Sequence, residues 1–79
     1  NIMIDAVKKA EVGDGLIVRL HEFTGARGKV RLTSDFPLTG WQETDLMERP
    51  IGEMQTQSDV EFHIQPYEIK TFMLQLKKG

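Results

Sequence analysis

Apolar and polar residues alternate along most of this chain, with a period of two rather than the 3.6 of an amphipathic helix. Ile2, Ile4 and Ala6 fall on one side of a first strand that ends near Lys9. Gly15 to Phe23 is the most apolar run, bounded by Gly13-Asp14-Gly15 before it and Thr24-Gly25-Ala26-Arg27-Gly28 after it. Leu16, Val18 and Leu20 share one of its faces, and Ile17, Arg19, His21 and Phe23 the other. Large apolar groups on both faces predict a central strand, the spine of the domain. The flanking glycines and Asp14 suit tight turns, because they tolerate positive φ.

Lys29 to Ser34 is a half-buried strand with Val30 and Leu32 inward, broken by Asp35-Phe36-Pro37-Leu38, where Pro37 lacks an amide donor. Between Thr39 and Met47, Trp41 and Leu46 lie on opposite sides of a regular strand, which predicts a bulge or bend between them. Glu48 to Ser58, with Pro50 and Gly52, reads as a loop long enough for so small a domain to be functional. Asp59 to Ile64 alternates strictly, with Val60, Phe62 and Ile64 inside. After Pro66, Glu68 to Lys77 carries Phe72, Leu74 and Leu76 on one face and Ile69, Thr71 and Met73 on the other. It is a second central strand, predicted to pair with the spine. The pattern implies an all-β fold, a small antiparallel β-sandwich of immunoglobulin-like kind with about six to seven strands.

At 79 residues the chain makes one domain, 1–79, whose core is marginal by itself. It has no cysteine, so neither disulfides nor thiolate metal sites reinforce it. That favours docking against a larger parent chain. A net charge of -2 and a pI near 5.6 argue against nucleic acid as a partner. No run reaches transmembrane length, so no membrane span is expected. The chain begins at Asn1 without a leader, as a domain excised from a multidomain protein would. The lack of cysteine leans towards a reducing, cytoplasmic location.

Candidate chemistry is sparse. Glu22, Glu48, Glu61 and Glu68 offer no spacing that singles out a glycosidase carboxylate pair. His21 and His63 have Glu22 and Glu61 nearby but no third zinc ligand, so surface or half-buried histidines are the simpler reading. Ser34 and Ser58 form no nucleophile elbow, and no glycine-rich phosphate loop opens a helix. No catalytic, cofactor-binding or metal residue is assigned. Glu22 shares the inward face of the spine, and a carboxylate there needs a cation or backbone amides. The expectation is a structural ion pair with Arg49 (Lys8 is the other candidate) or a strand-end hydrogen bond. Trp41, Tyr67 and Phe36 are the aromatics best placed to reach the surface and stack on a sugar, as in a carbohydrate-binding module. The plainer alternative is that they fill the core or pack beneath the long loop.

Three segments together carry a resemblance. Lys8-Lys9-Ala10-Glu11 with Asp14 to Glu22, then Thr44-Asp45-Leu46-Met47-Glu48-Arg49-Pro50, then Pro66-Tyr67-Glu68-Ile69-Lys70-Thr71-Phe72 resemble, in order and spacing, the C-terminal region of glycoside hydrolase family 38 α-mannosidases. His21 and Phe72 stand where that family tends to have Tyr and Leu. The resemblance implies a terminal β-sandwich rather than an enzyme, because that family's nucleophile and zinc ligands lie in an N-terminal α/β domain whose motifs are absent here. It implies that zinc belongs to the catalytic domain of the parent, a retaining glycosidase that hydrolyses terminal α-mannosides. The partners implied are the parent's remaining domains. A carbohydrate-binding module and a protein-interaction sandwich unconnected with sugars are the rival readings.

Overall fold

The computed structural model describes residues 2–10, 15–33, 38–57 and 59–76, which form six strands and no helix. These are β1 (Ile2–Lys9), β2 (Gly15–Glu22), β3 (Gly28–Leu32), β4 (Leu38–Thr44), β5 (Val60–Ile64) and β6 (Ile69–Leu76). One sheet has four strands in the order β1-β2-β6-β4, and the other has two, β3-β5. All pairings are antiparallel. The two sheets pack face to face as a β-sandwich, because each presents one apolar face.

β2 and β6 are the two inner strands of the larger sheet, as their two-sided apolar pattern requires. Their register sets Leu16 opposite Leu74 and Val18 opposite Phe72. Residues directly opposite share a face, so these four point into the sandwich together with Leu20. Val60, Phe62 and Ile64 of β5 meet them from the smaller sheet, and Leu38 and Trp41 close one flank. Phe72 is the centre of this core and wholly buried. The Trp41 ring meets it edge-on at 5.6 Å and Phe62 lies tilted against it at 4.6 Å.

The structure departs from strict alternation in three places. In β1 a bulge between Ile4 and Ala6 puts Ile2, Ile4, Val7 and Lys9 on the inner side, and moves Ala6 to the outer side. An extra residue reverses the facing of everything after it, which pattern alone does not reveal. In β4 the bulge lies between Leu38 and Gly40, not between Trp41 and Leu46, and the strand stops at Thr44. The loop from Glu48 also has order of its own. It returns along the free edge of β4 through bridges at Thr44–Pro50 and Trp41–Gln55. The predicted turn at Gly13-Asp14 and the break at Phe36-Pro37 lie outside the described residues.

Gly40 is what lets that loop close on β4. A Cβ at this position would stand 2.6 Å from the Gln55 carbonyl oxygen. That carbonyl accepts from the Trp41 amide at 2.8 Å, and the Gln55 amide donates back to Trp41 at 2.7 Å. Gly40→Ala therefore displaces Gln55 and breaks both bonds, which at about 1 kcal/mol each costs about 2 kcal/mol. The check is a lower urea midpoint with an unchanged slope. An unmoved midpoint would show that the loop does not rest there.

Candidate functional site

Glu22 ends β2 on its inward face and is 1 % exposed. Its carboxylate is the junction of two turns that carry the chain between the sheets. Oε2 accepts from the amide and the hydroxyl of Thr24. Oε1 accepts from the Gly25 amide at 2.7 Å and from the Tyr67 amide at 3.0 Å. The first three donors belong to the β2–β3 turn, and the last belongs to the β5–β6 turn. The Glu22 amide also donates to the Glu68 carbonyl at 3.1 Å. Burial is the strongest single influence on this carboxyl and pushes its pKa up. Bonds from the Thr24 hydroxyl and the amides of Tyr67, Thr24 and Ala26 together overcome it, lowering the pKa from 4.5 to about 2.

The backbone around this clamp is specialised. Tyr67 has φ 58°, a left-handed conformation uncommon for a residue with a side chain, and Gly25 has φ 81°. A Cβ on Gly25 would lie 2.7 Å from the Tyr67 hydroxyl oxygen, so the phenol rests directly against the glycine. Within the second turn, the Gln65 amide donates to the Glu68 side chain at 2.9 Å. The site is therefore a structural clamp built from backbone amides and the Thr24 hydroxyl.

This corrects the expected ion pair. Arg49 lies instead against Asp45, Nε to Oδ2 at 2.9 Å, and Lys8 pairs with Glu48 at 2.9 Å. Of the alternatives posed for Glu22, the structure has the strand-end bonding. The Glu22-x-Thr24-Gly25 run was a local signal for it, whereas the Tyr67 amide, 45 residues away, left none.

The proposed sugar-contact aromatics separate. Trp41 is 7 % exposed and belongs to the core, a correction that follows from its place opposite Leu74 on the inner face. Its indole N–H has no acceptor among the described residues. Tyr67 is exposed, and Phe36 lies outside the described residues. His21 is held by Asp5 at 2.7 Å in the larger sheet, while His63 sits on β5 in the smaller one. Among the described residues no three of His, Asp and Glu come together in a way that could hold a metal ion.

A second ordered feature is the turn Asp45–Pro50. Asp45 Oδ1 accepts from the Met47 and Arg49 amides at 2.8 and 2.9 Å, and the Glu48 amide donates to the Asp45 carbonyl at 3.0 Å. Bonding by the Arg49 amide holds the Asp45 carboxyl below the usual carboxylate range. Glu48 adopts φ 64° and reaches Lys8, which faces outward on β1. The turn thus lies over the outer face of the larger sheet, with Leu46 and Met47 turned to solvent at its tip, 62 % and 74 % exposed. Sequence reading missed Asp45 as the organiser, although an Asp opening a short turn is a recognisable signal.

No curated protein and no solved structure matches the chain. The family model for glycosyl hydrolases family 38, C-terminal beta sandwich domain, matches residues 1–72. That match spans nearly all of a chain whose fold is the two-sheet sandwich the description names. The chain belongs to glycosyl hydrolase family 38, as its C-terminal beta sandwich domain.

Proposed function

We propose that this non-catalytic domain docks onto the other domains of a zinc-dependent α-mannosidase and stabilises them. The observation that carries the reading is the Asp45–Pro50 turn. Five backbone and side-chain bonds close it on itself, yet its tip presents two large apolar side chains to water. Fixing a loop costs conformational entropy, and exposing Leu and Met on it costs hydration. A partner surface that covers Leu46 and Met47 offsets both. Met3, Phe23 and Ile69 add exposed apolar groups near one end of the larger sheet.

In this reading the parent hydrolyses terminal α-mannosides with retention of configuration. The same reading assigns its zinc and its carboxylate nucleophile to the remaining domains, as the resemblance to the family implies. The domain's task is mechanical: it buttresses the catalytic region through the turn.

The test is Leu46→Glu with Met47→Glu in the full-length parent. Both residues are exposed, so the sandwich itself keeps its fold. The expected result is a lower melting temperature for the whole enzyme and faster proteolysis between domains. An unchanged melting temperature would sink the docking reading. Titration with α-mannosides serves as the control. Shifts clustered on Tyr67 would identify a sugar-binding module instead.

A further inference from the structure

The larger sheet has four strands and the smaller has two, so the sandwich is unevenly covered. Short turns link β2 to β3 and β5 to β6, which sets the β3-β5 pair over β2 and β6. The inner side of β1 is left beyond the edge of β3. In register, Ile4 stands opposite Leu20 and Val7 opposite Val18. Leu20 and Val18 are 0 % and 6 % exposed, whereas Ile4 and Val7, one strand away on the same face, are 52 % and 58 % exposed. The difference is cover, not sequence. Between the start of β1 and β3 lies a hollow of about 360 Å³, lined by Ile2, Arg27, Lys29, Val30, Arg31 and Glu22 among others.

Among the described residues β3 pairs with β5 alone, so its other edge carries amides and carbonyls that no described strand pairs, alongside this apolar strip. Such an edge is a template for strand addition. Apart from the Glu22 carboxylate, which the turn amides hold, the charged side chains lining the hollow are cationic. Arg27 and Lys29 line the hollow, Arg31 stands beside them, and Lys9 continues the inner row of β1. Lys29 and Arg31 are paired with Glu61 and Asp59, but Arg27 and Lys9 have no acidic partner among the described residues. In a chain of net charge -2 this flank is locally basic.

We propose that the trench between β1 and β3 accepts an additional strand, an extended segment of the parent polypeptide that pairs with the free edge of β3. Alternate aliphatic residues of that segment cover Ile4 and Val7, and Asp or Glu residues flanking them at the two ends meet Arg27 and Lys9. Charge disfavours a second copy as the occupant, because two-fold pairing would bring these cations against their own counterparts. A segment of the same polypeptide also arrives at high effective concentration. The proposal rests on the reading that this domain sits within a longer glycosidase, but it uses a different surface from the Asp45–Pro50 turn.

The experiment places the photo-crosslinker benzoylphenylalanine at position 4, and separately at position 46, of the full-length parent, and maps the products by mass spectrometry. The expected product from position 4 joins it to one segment outside these 79 residues, with aliphatic residues at alternate positions and acidic residues flanking them. Arg27→Glu should then remove most of that product. Crosslinks from position 4 to another copy, to residues within this domain, or to nothing overturn the proposal. Products from position 46 with none from position 4 leave docking through the turn intact and remove the strand. The reverse pattern removes docking through the turn alone.

Discussion

Replacing Phe72 with alanine should lower the unfolding free energy by about 3–5 kcal/mol, the range for deleting a buried aromatic ring. A domain of 79 residues has roughly 4–12 kcal/mol in total, so the isolated variant sits at or near the limit of folding. Phe72 is singled out because it is wholly buried and its ring joins Trp41 on one side to Phe62 on the other, linking the sheets. Its removal costs both apolar burial and the edge-to-face contacts, which add about 0.5–1.5 kcal/mol per pair. Ile69→Ala, three residues earlier on an exposed outward position, should change stability by no more than about 0.5 kcal/mol. Urea unfolding of the two variants decides the matter. Similar midpoints for both would mean that the core is not centred on Phe72.

Glu22→Gln should be the second most damaging substitution, and its damage should depend on pH. Glutamine keeps the size of the side chain but replaces one acceptor oxygen with a donor. That donor would face either the Thr24 amide and hydroxyl or the Gly25 and Tyr67 amides, leaving buried N–H groups without partners. The melting temperature should fall by several degrees. Glu61→Gln, which alters only exposed pairs with Lys29 and Arg31, should leave it nearly unmoved.

The pH dependence follows from the direction of the Glu22 shift. Its folded pKa is about 2 against an ordinary 4.5, so the unfolded chain takes up this proton first on acidification. The stabilisation is fully present above about pH 4.5 and is lost as pH falls from there through about 2. Asp45, also held low, contributes in the same direction. The native domain should therefore lose stability more steeply than Glu22→Gln over that interval, and the two melting curves should converge at its lower end. Parallel profiles would mean that the carboxylate is not ionised in the folded domain.

The alternation of side chains was enough to specify much of this protein. It marked strands close to those observed, identified β2 and β6 as interior strands from their two apolar faces, and turned Val60, Phe62 and Ile64 inward. It did so because burial on a pleated strand is a local property with period two. It also set Glu22 on the inward face, where an unpartnered carboxylate is untenable, and the three motif segments already resembled the family that the family model matches. The remaining features depended on atoms brought together from distant parts of the chain. The bulge in β1 reversed the facing of its second half. Trp41 moved from a candidate surface ring to the core once it was set against Leu74. The partner of Glu22 was decided by the Tyr67 amide, and backbone amides carry no residue identity that a sequence can display. The exposure of Ile4 and Val7 came from the width of the opposing sheet, which is a fact of topology rather than of any residue on β1.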